Sequence, residues 1–284
     1  SSRTSTRRWP SPPRNVKPCR RALTLKISPS DMAEFATSAG HWYTLDGEPC
    51  YTIVGKNGKE RNTTLRDARK HGLVPSVTTI IRMAAAPALE KWKRDQLLLA
   101  ALTLPRREGE LEADWLRRVE QDSQETGRKA ADRGTLIHGA IERHYRGEMP
   151  DEEFWPHVQA AKAEILTSCG EQQWSAERSF ADPLGYGGKC DLHSASWVID
   201  IKTKDGDPPR SLYDEHVMQL AAYRRGLGVP NAQCGILYVQ RETPAALFVE
   251  ATQDELAGGL AMFHALLAFW PANTGHRPAM RAAA

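Results

Sequence analysis

The sequence predicts an α/β protein: a central mixed β-sheet flanked by helices, preceded by a mostly helical front section. Three observations carry this expectation. Residues 173–180 and 186–193 largely alternate with the period of two of a strand, and 196–203 sets Trp197, Ile199 and Ile201 on one face and Asp200 and Lys202 on the other. A helical stretch, 211–227, then separates them from two more apolar runs, 235–240 and 246–251, so a helix crosses between strands of one sheet. Residues 75–128 instead place apolar residues three and four apart among many charges, as surface helices do.

Residues 1–30 hold eight Lys or Arg and no acid among Pro and Ser, which predicts a disordered basic tail with little to bury. It reads as a nucleic-acid arm, an organelle transit peptide or a solvated leader. Asp46-Gly47 and Asn57-Gly58 are turn pairs, and they predict a small hairpin between 41–47 and 51–58. A short helix follows over 64–71. Pro75-Ser76 opens another that ends before Pro87, and helices at 89–104 and 110–128 complete the front. Helices at 134–145 and 152–168 lead into the three strands. The last helix, 253–270, starts on the capping box Thr252-x-x-Glu255. The expected division is thus a tail over 1–30, a hairpin and helical extension or arch over 31–130, and a core over 131–284.

The chain has 284 residues, 40% hydrophobic and 26% charged, in the ordinary globular range. No run of about 18 apolar residues occurs, so no membrane partner is expected. Beyond the tail, 30 basic face 35 acidic side chains, and a nucleic-acid site must then be a local patch. Cys19, Cys50, Cys169, Cys190 and Cys234 are scattered without C-x-x-C spacing, which points to a reducing compartment and against zinc or an iron-sulfur cluster.

The chemistry lies in Gly187–Thr203. On a strand, Val198, Asp200 and Lys202 share one face and Trp197, Ile199 and Ile201 the other, while Gly187, Lys189, Asp191 and His193 share a face of the preceding strand. A hairpin closed around 194–197 sets Asp191 opposite Asp200. Two facing carboxylates repel unless a cation lies between them. Ala195-Ser196 is not a favoured turn pair, which leaves a four-residue loop or a bulge open. His138 and Glu142 share a helix face, and Gln219 and Tyr223 repeat that spacing after the Lys202 strand.

Taken in order, His138, Glu177, Gly188-Lys-Cys-Asp191, Asp200-Ile-Lys202 and Gln219-x-x-x-Tyr223 resemble the RecB-type branch of the PD-(D/E)XK nuclease superfamily. Pro75-Ser-Val-Thr-Thr-Ile with Leu89-Glu-Lys-Trp-Lys93 is also similar to mitochondrial genome maintenance exonuclease and prophage-encoded exonucleases. The resemblance implies a restriction-endonuclease-like αβββαβ core and hydrolysis of DNA from single-stranded ends, in repair, recombination or phage DNA processing. It implies Mg²⁺ or Mn²⁺ held by Asp191, Asp200, the Ile201 carbonyl and His138, with Lys202 acting on the attacking water and Glu177 an outer ligand or a plain surface carboxylate. Gln219 and Tyr223 are expected to position the strand. Lys91, Trp92, Lys93, Arg128, Lys129 and Arg133 are expected to contact phosphates and bases. The expected setting is the cytoplasm of a bacterial or phage host, or the mitochondrion if the tail is a transit peptide, with recombination or repair proteins as partners. The four-cysteine cluster of some RecB-type nucleases has no matching residues here, and no Gly-x-x-x-x-Gly-Lys-Ser/Thr motor motif occurs. A catalytically silent binding module and a structure-specific endonuclease stay open.

Overall fold

The computed structural model describes residues 40–84, 87–209 and 211–278; the expected tail, with Cys19, lies outside the described residues. The main sheet has five strands in sequential order: β5 (Ser175–Asp182), β6 (Tyr186–His193), β7 (Trp197–Lys204), β8 (Gln233–Gln240) and β9 (Ala246–Ala251). All neighbours are antiparallel except β7 and β8, which helix α6 (Asp214–Gly226) connects as a parallel pair. This is the mixed sheet and crossover that the alternating segments predict.

Both faces of the sheet are covered. Helix α5 (Trp155–Cys169) and the end of α4 (Glu112–Tyr145) bury Ile137, Ile141, Val158 and Ile165 against Leu192, Ile199, Ile201 and Leu237. On the other face, α6 and the last helix, α7 (Gln253–Thr274), pack Leu220, Tyr223 and Phe263 with Val198, Ile236 and Tyr186. A strand buried on both faces reads as a continuous apolar run. In β7 that run is broken by one acid, Asp200, itself buried. Helix α7 is long and apolar enough to cross a bilayer by length and composition, yet it places Leu256, Phe263 and Trp270 in this core, and its predicted capping box is formed.

Two expectations for the front section are corrected. Residues 41–47 and 51–58 do not pair as one hairpin: β1 (Trp42–Tyr43) pairs with β4 (Val74–Pro75), and β2 (Thr52–Val54) with β3 (Glu60–Asn62). The Asn57-Gly58 turn closes the second pair, whereas Asp46-Gly47 leads only to an isolated bridge between Tyr43 and Pro49. After α1 (Leu65–His71), helix α2 is short, Val77–Ile81, and α3 starts at Pro87, a residue suited to a first turn. The segments 110–128 and 134–145 are one 34-residue helix, α4, which runs across the expected boundary at 130/131. Gly134 lies inside this helix at a contact point: a Cβ there would overlap Thr203 Oγ1.

Gly226 is a second close approach. A Cβ at this last residue of α6 would enter the ring of Phe180, which Tyr186 and Tyr223 flank edge-on at centroid distances of 6.3 and 5.7 Å. Gly226→Ala is therefore expected to destabilise the fold by about 1–3 kcal/mol through overpacking. Urea denaturation giving an unchanged midpoint would refute this.

A forked strand and its candidate active site

The β6–β7 turn is built on a side chain, not on glycine. Ser194 Oγ accepts hydrogen bonds from the Ser196 and Trp197 amides, both 3.1 Å, and Ser194 N donates to the Trp197 carbonyl at 2.8 Å. The register is the expected one, with Leu192 opposite Ile199 and His193 opposite Val198. The ladder stops there. Asp191 and Asp200 would be the next pair, but β6 turns away from β7, and the Cys190 thiol fills the gap, donating to the Leu192 and Ile199 carbonyls at 3.3 and 3.7 Å. Further back, Gly187 pairs in parallel with Ser76 of the front section. Strand β6 thus serves two neighbours, and the fork between them opens at Asp191.

This changes two sequence expectations. Cys190 packs in one core and Leu192 in the other, so strict alternation fails along β6 at Asp191. On the opposite side, Glu177 also leaves the ladder: its φ of 57° lies in the left-handed region, rare for a side chain other than glycine. Such backbone strain persists only where the surroundings impose it, and here it sits across from Asp191.

The fork gathers charge. Asp191 Oδ2 accepts from the Ile201 amide at 2.7 Å and lies 3.0 Å from His138 Nε2. The other ring nitrogen of His138 is 2.8 Å from Glu142 Oε1. Burial alone would favour a neutral imidazole, but Asp191 and then Glu142 outweigh it and push the His138 pKa up to about 10. The imidazolium in turn holds Glu142 below its usual range despite burial. Glu142 Oε2 is also 3.3 Å from Arg146, which reaches to 4.0 Å from Glu177. Glu177 is nearly buried and ion-paired with Lys189, so it joins the cluster at its rim and not at Asp191.

Asp200 sits at the other side of the opening. Its Oδ1 accepts from Gln219 Nε2 at 2.7 Å; its Oδ2 is 2.7 Å from Lys202 Nζ, out of line for a hydrogen bond, and has no hydrogen-bond donor. Burial, partly offset by Lys202 and reinforced by Asp191, pushes the Asp200 pKa up to about 6. Lys202 is held protonated above its usual range, because Asp200 and Asp191 outweigh its desolvation. Gln219 also accepts from Lys202 at 3.3 Å and donates to the Tyr223 hydroxyl at 3.0 Å. Gln219 and Tyr223, expected to position a strand, are both buried and spend these bonds on the acid and the amine.

Among the described residues no three His, Cys, Asp or Glu side chains already enclose one ion position. The donor set nevertheless suits a hard divalent cation. Asp200 Oδ2 is a buried carboxylate oxygen without a donor, its charge is disfavoured by burial and by Asp191, and a cation would relieve both.

The expected substrate contacts lie on the helical front. Lys91 pairs with Asp95 and Lys93 with Glu90 along α3 (Pro87–Thr103), Lys129 pairs with Glu125 on α4, and Arg133 bonds the Arg241 carbonyl. Trp92 rests over Gly127 of α4 and stays 44% exposed. These exposed pairs are weak and readily exchanged for phosphate. Sequence reasoning left Lys189, Arg146 and His216 out of the site. Lys189 had a signal, two residues before Asp191 on the same strand; Arg146, one turn after Glu142, had a weaker one.

His216 lies one turn before Gln219, with Nδ1 2.9 Å from the Tyr238 hydroxyl; burial and then Lys202 lower its pKa to about 4. A histidine depressed on folding contributes stability above pH 6.5 that is lost as pH falls toward 4. Asp200, raised on folding, has the opposite sign: its buried charge costs stability above about pH 6, and protonation relieves that cost on acidification. The two should largely cancel. His216→Phe is therefore expected to gain up to about 3 kcal/mol relative to wild type between pH 7 and 4.5. Urea titrations at both pH values, showing parallel losses in the two proteins, would refute it.

No protein-family model matches the chain, and no curated protein sequence matches it. Among solved structures it is similar to a candidate exonuclease of Eubacterium rectale, 12% identical with a TM-score of 0.38, over 50% of this chain and 68% of that one. It is also similar to an alkaline exonuclease from Laribacter hongkongensis, 16% identical with a TM-score of 0.25, over 48% of this chain and 81% of that one.

Proposed function

We propose that this protein is a metal-dependent deoxyribonuclease that hydrolyses DNA from single-stranded ends. The observation that carries the reading is the fork: Asp191, Asp200 and Lys202 converge where β6 leaves β7, and a buried carboxylate oxygen there lacks a donor. Asp191, Asp200 and the Ile201 carbonyl would hold Mg²⁺ or Mn²⁺, with His138 contributing once it has lost its proton. The cation would supply Lewis-acid polarisation of the phosphodiester and neutralise the two acids.

The protein's own groups do the rest. Lys202, fixed by Asp200 and Gln219, presents an ammonium that orients the attacking water and offsets charge developing on the phosphate oxygens. Water adds to phosphorus as the bond to the 3′-oxygen breaks, leaving a 5′-phosphate. Gln219 keeps Asp200 and Lys202 in register, and Tyr223 braces Gln219. The preference for ends draws on α3 and the first part of α4, a helix pair that joins the site through His138 and offers basic side chains along its length. DNA repair, recombination or phage DNA processing are the settings that suit such an activity.

End-labelled linear single-stranded DNA and closed single-stranded circles, incubated with Mg²⁺ and then Mn²⁺, test the proposal. Metal-dependent loss of the linear form with circles spared is expected. Equal cutting of circles would make the protein an endonuclease; no cutting with either metal, but retained DNA binding, would make it a silent binding module.

A further inference from the structure

We propose that Tyr213, backed by His216 and Tyr238, is a stacking platform for one nucleobase next to the cleaved phosphate, and that it does not read the base's identity. This deepens the nuclease reading and rests on it. Tyr238 is the register partner of Lys202 on the neighbouring parallel strand, so the two side chains leave the same face of the sheet. The Tyr238 hydroxyl is tied to His216 at 2.9 Å, and their rings lie 6.0 Å apart. His216 in turn meets Tyr213 edge-on, with centroids 5.4 Å apart at 64°. The three rings form a continuous step from Lys202 out to solvent.

Tyr213 ends that step with 48% of its surface exposed. A large ring held at its edge and left half in solvent is suited to a flat partner, and every nucleobase offers a flat face. The alternative is that Tyr213 merely covers the start of α6. Beside Tyr238 is a cleft of about 70 Å³, lined also by Lys204, Pro208, Gln240 and Leu247. That cleft lies at Tyr238 and not at the exposed Tyr213 ring, where a stacked base keeps its edges in water. Lys202 and Lys204, two apart on β7, supply positive charge along the same edge for the flanking phosphates.

The test uses the full chain, in EDTA to prevent cleavage, with single-stranded DNA carrying 2-aminopurine at successive positions. Wild type and Tyr213→Trp should quench fluorescence at one position; Tyr213→Ala should not, and should bind about tenfold more weakly. The exposed site makes Tyr213→Ala safe for folding, which its thermal midpoint checks. Changing the quenched base among all four should alter affinity by less than about threefold, consistent with stacking without hydrogen-bond readout. Equal quenching and affinity in Tyr213→Ala would overturn the platform alone, and a strong preference for one base would overturn the absence of readout. Failure of wild type to bind DNA both in EDTA and with Ca²⁺, a hard cation that takes the same oxygen ligands, would overturn the nuclease reading and this inference together.

Discussion

Lys202→Ala is expected to reduce cleavage of single-stranded DNA by about a thousandfold or more, a loss of roughly 4 kcal/mol in transition-state stabilisation. The amine is the cation placed beside Asp200 at the mouth of the fork, and Gln219 holds it there. The fold should survive. About a third of the Lys202 side chain reaches solvent, so its removal leaves Asp200 less well compensated at a cost of about 1–2 kcal/mol, below that of a fully buried pair. That cost has a signature: without Lys202 the Asp200 carboxyl should protonate at higher pH, so the variant should lose more stability at pH 8 than at pH 5. Single-turnover assays and urea titrations at both pH values check the two statements. Cleavage within tenfold of wild type would remove Lys202 from the chemistry.

Asp191→Asn and Asp200→Asn should each lower activity by about two to four orders of magnitude, and the double variant should be scarcely worse than either, since in the proposed function both acids serve one ion. Calorimetry with Mn²⁺ should show binding weakened in each. The stability consequences differ. Asp191 accepts the Ile201 amide and faces His138, so its neutralisation leaves a buried imidazolium paired only with Glu142 and should destabilise the fold. Asp200 has a raised pKa, meaning its ionised form opposes folding at neutral pH; Asp200→Asn should be at least as stable as wild type at pH 8. Unchanged Mn²⁺ affinity in both single variants would contradict the assigned ligands.

Asp200 and Lys202 were legible as a pair because a strand sets residues two apart on one face, opposite Trp197, Ile199 and Ile201; that this face is also covered, which buries Asp200, was not. His138 and Glu142 were legible as a helical pair, and the hairpin register followed from the turn. The fork was not legible. Beyond the end of its ladder with β7, β6 meets Ser76 at Gly187, and a pairing between residues so distant leaves no local period to read. The inward turn of Gln219 was hidden for another reason: an amide at helical spacing does not reveal whether it faces a substrate or braces a neighbouring acid. The continuity of α4 was not legible, since glycine weakens helices and the gain from bringing Gly134 against Thr203 is visible only in three dimensions.

The bridge from Ser76 to Gly187 also sets an order of events. Local hairpins and helices close quickly, whereas contacts across more than a hundred residues form late because of the chain entropy they remove. The β6–β7 hairpin and α4 can assemble from nearby sequence, but β6 gains its contact with Ser76 only after the front section has docked. On a ribosome, residues 40–76 emerge first and must wait for residue 187. The proposed site is therefore complete only at the end of folding, and a chain severed from its front section would be left with a bare strand edge beside the acids.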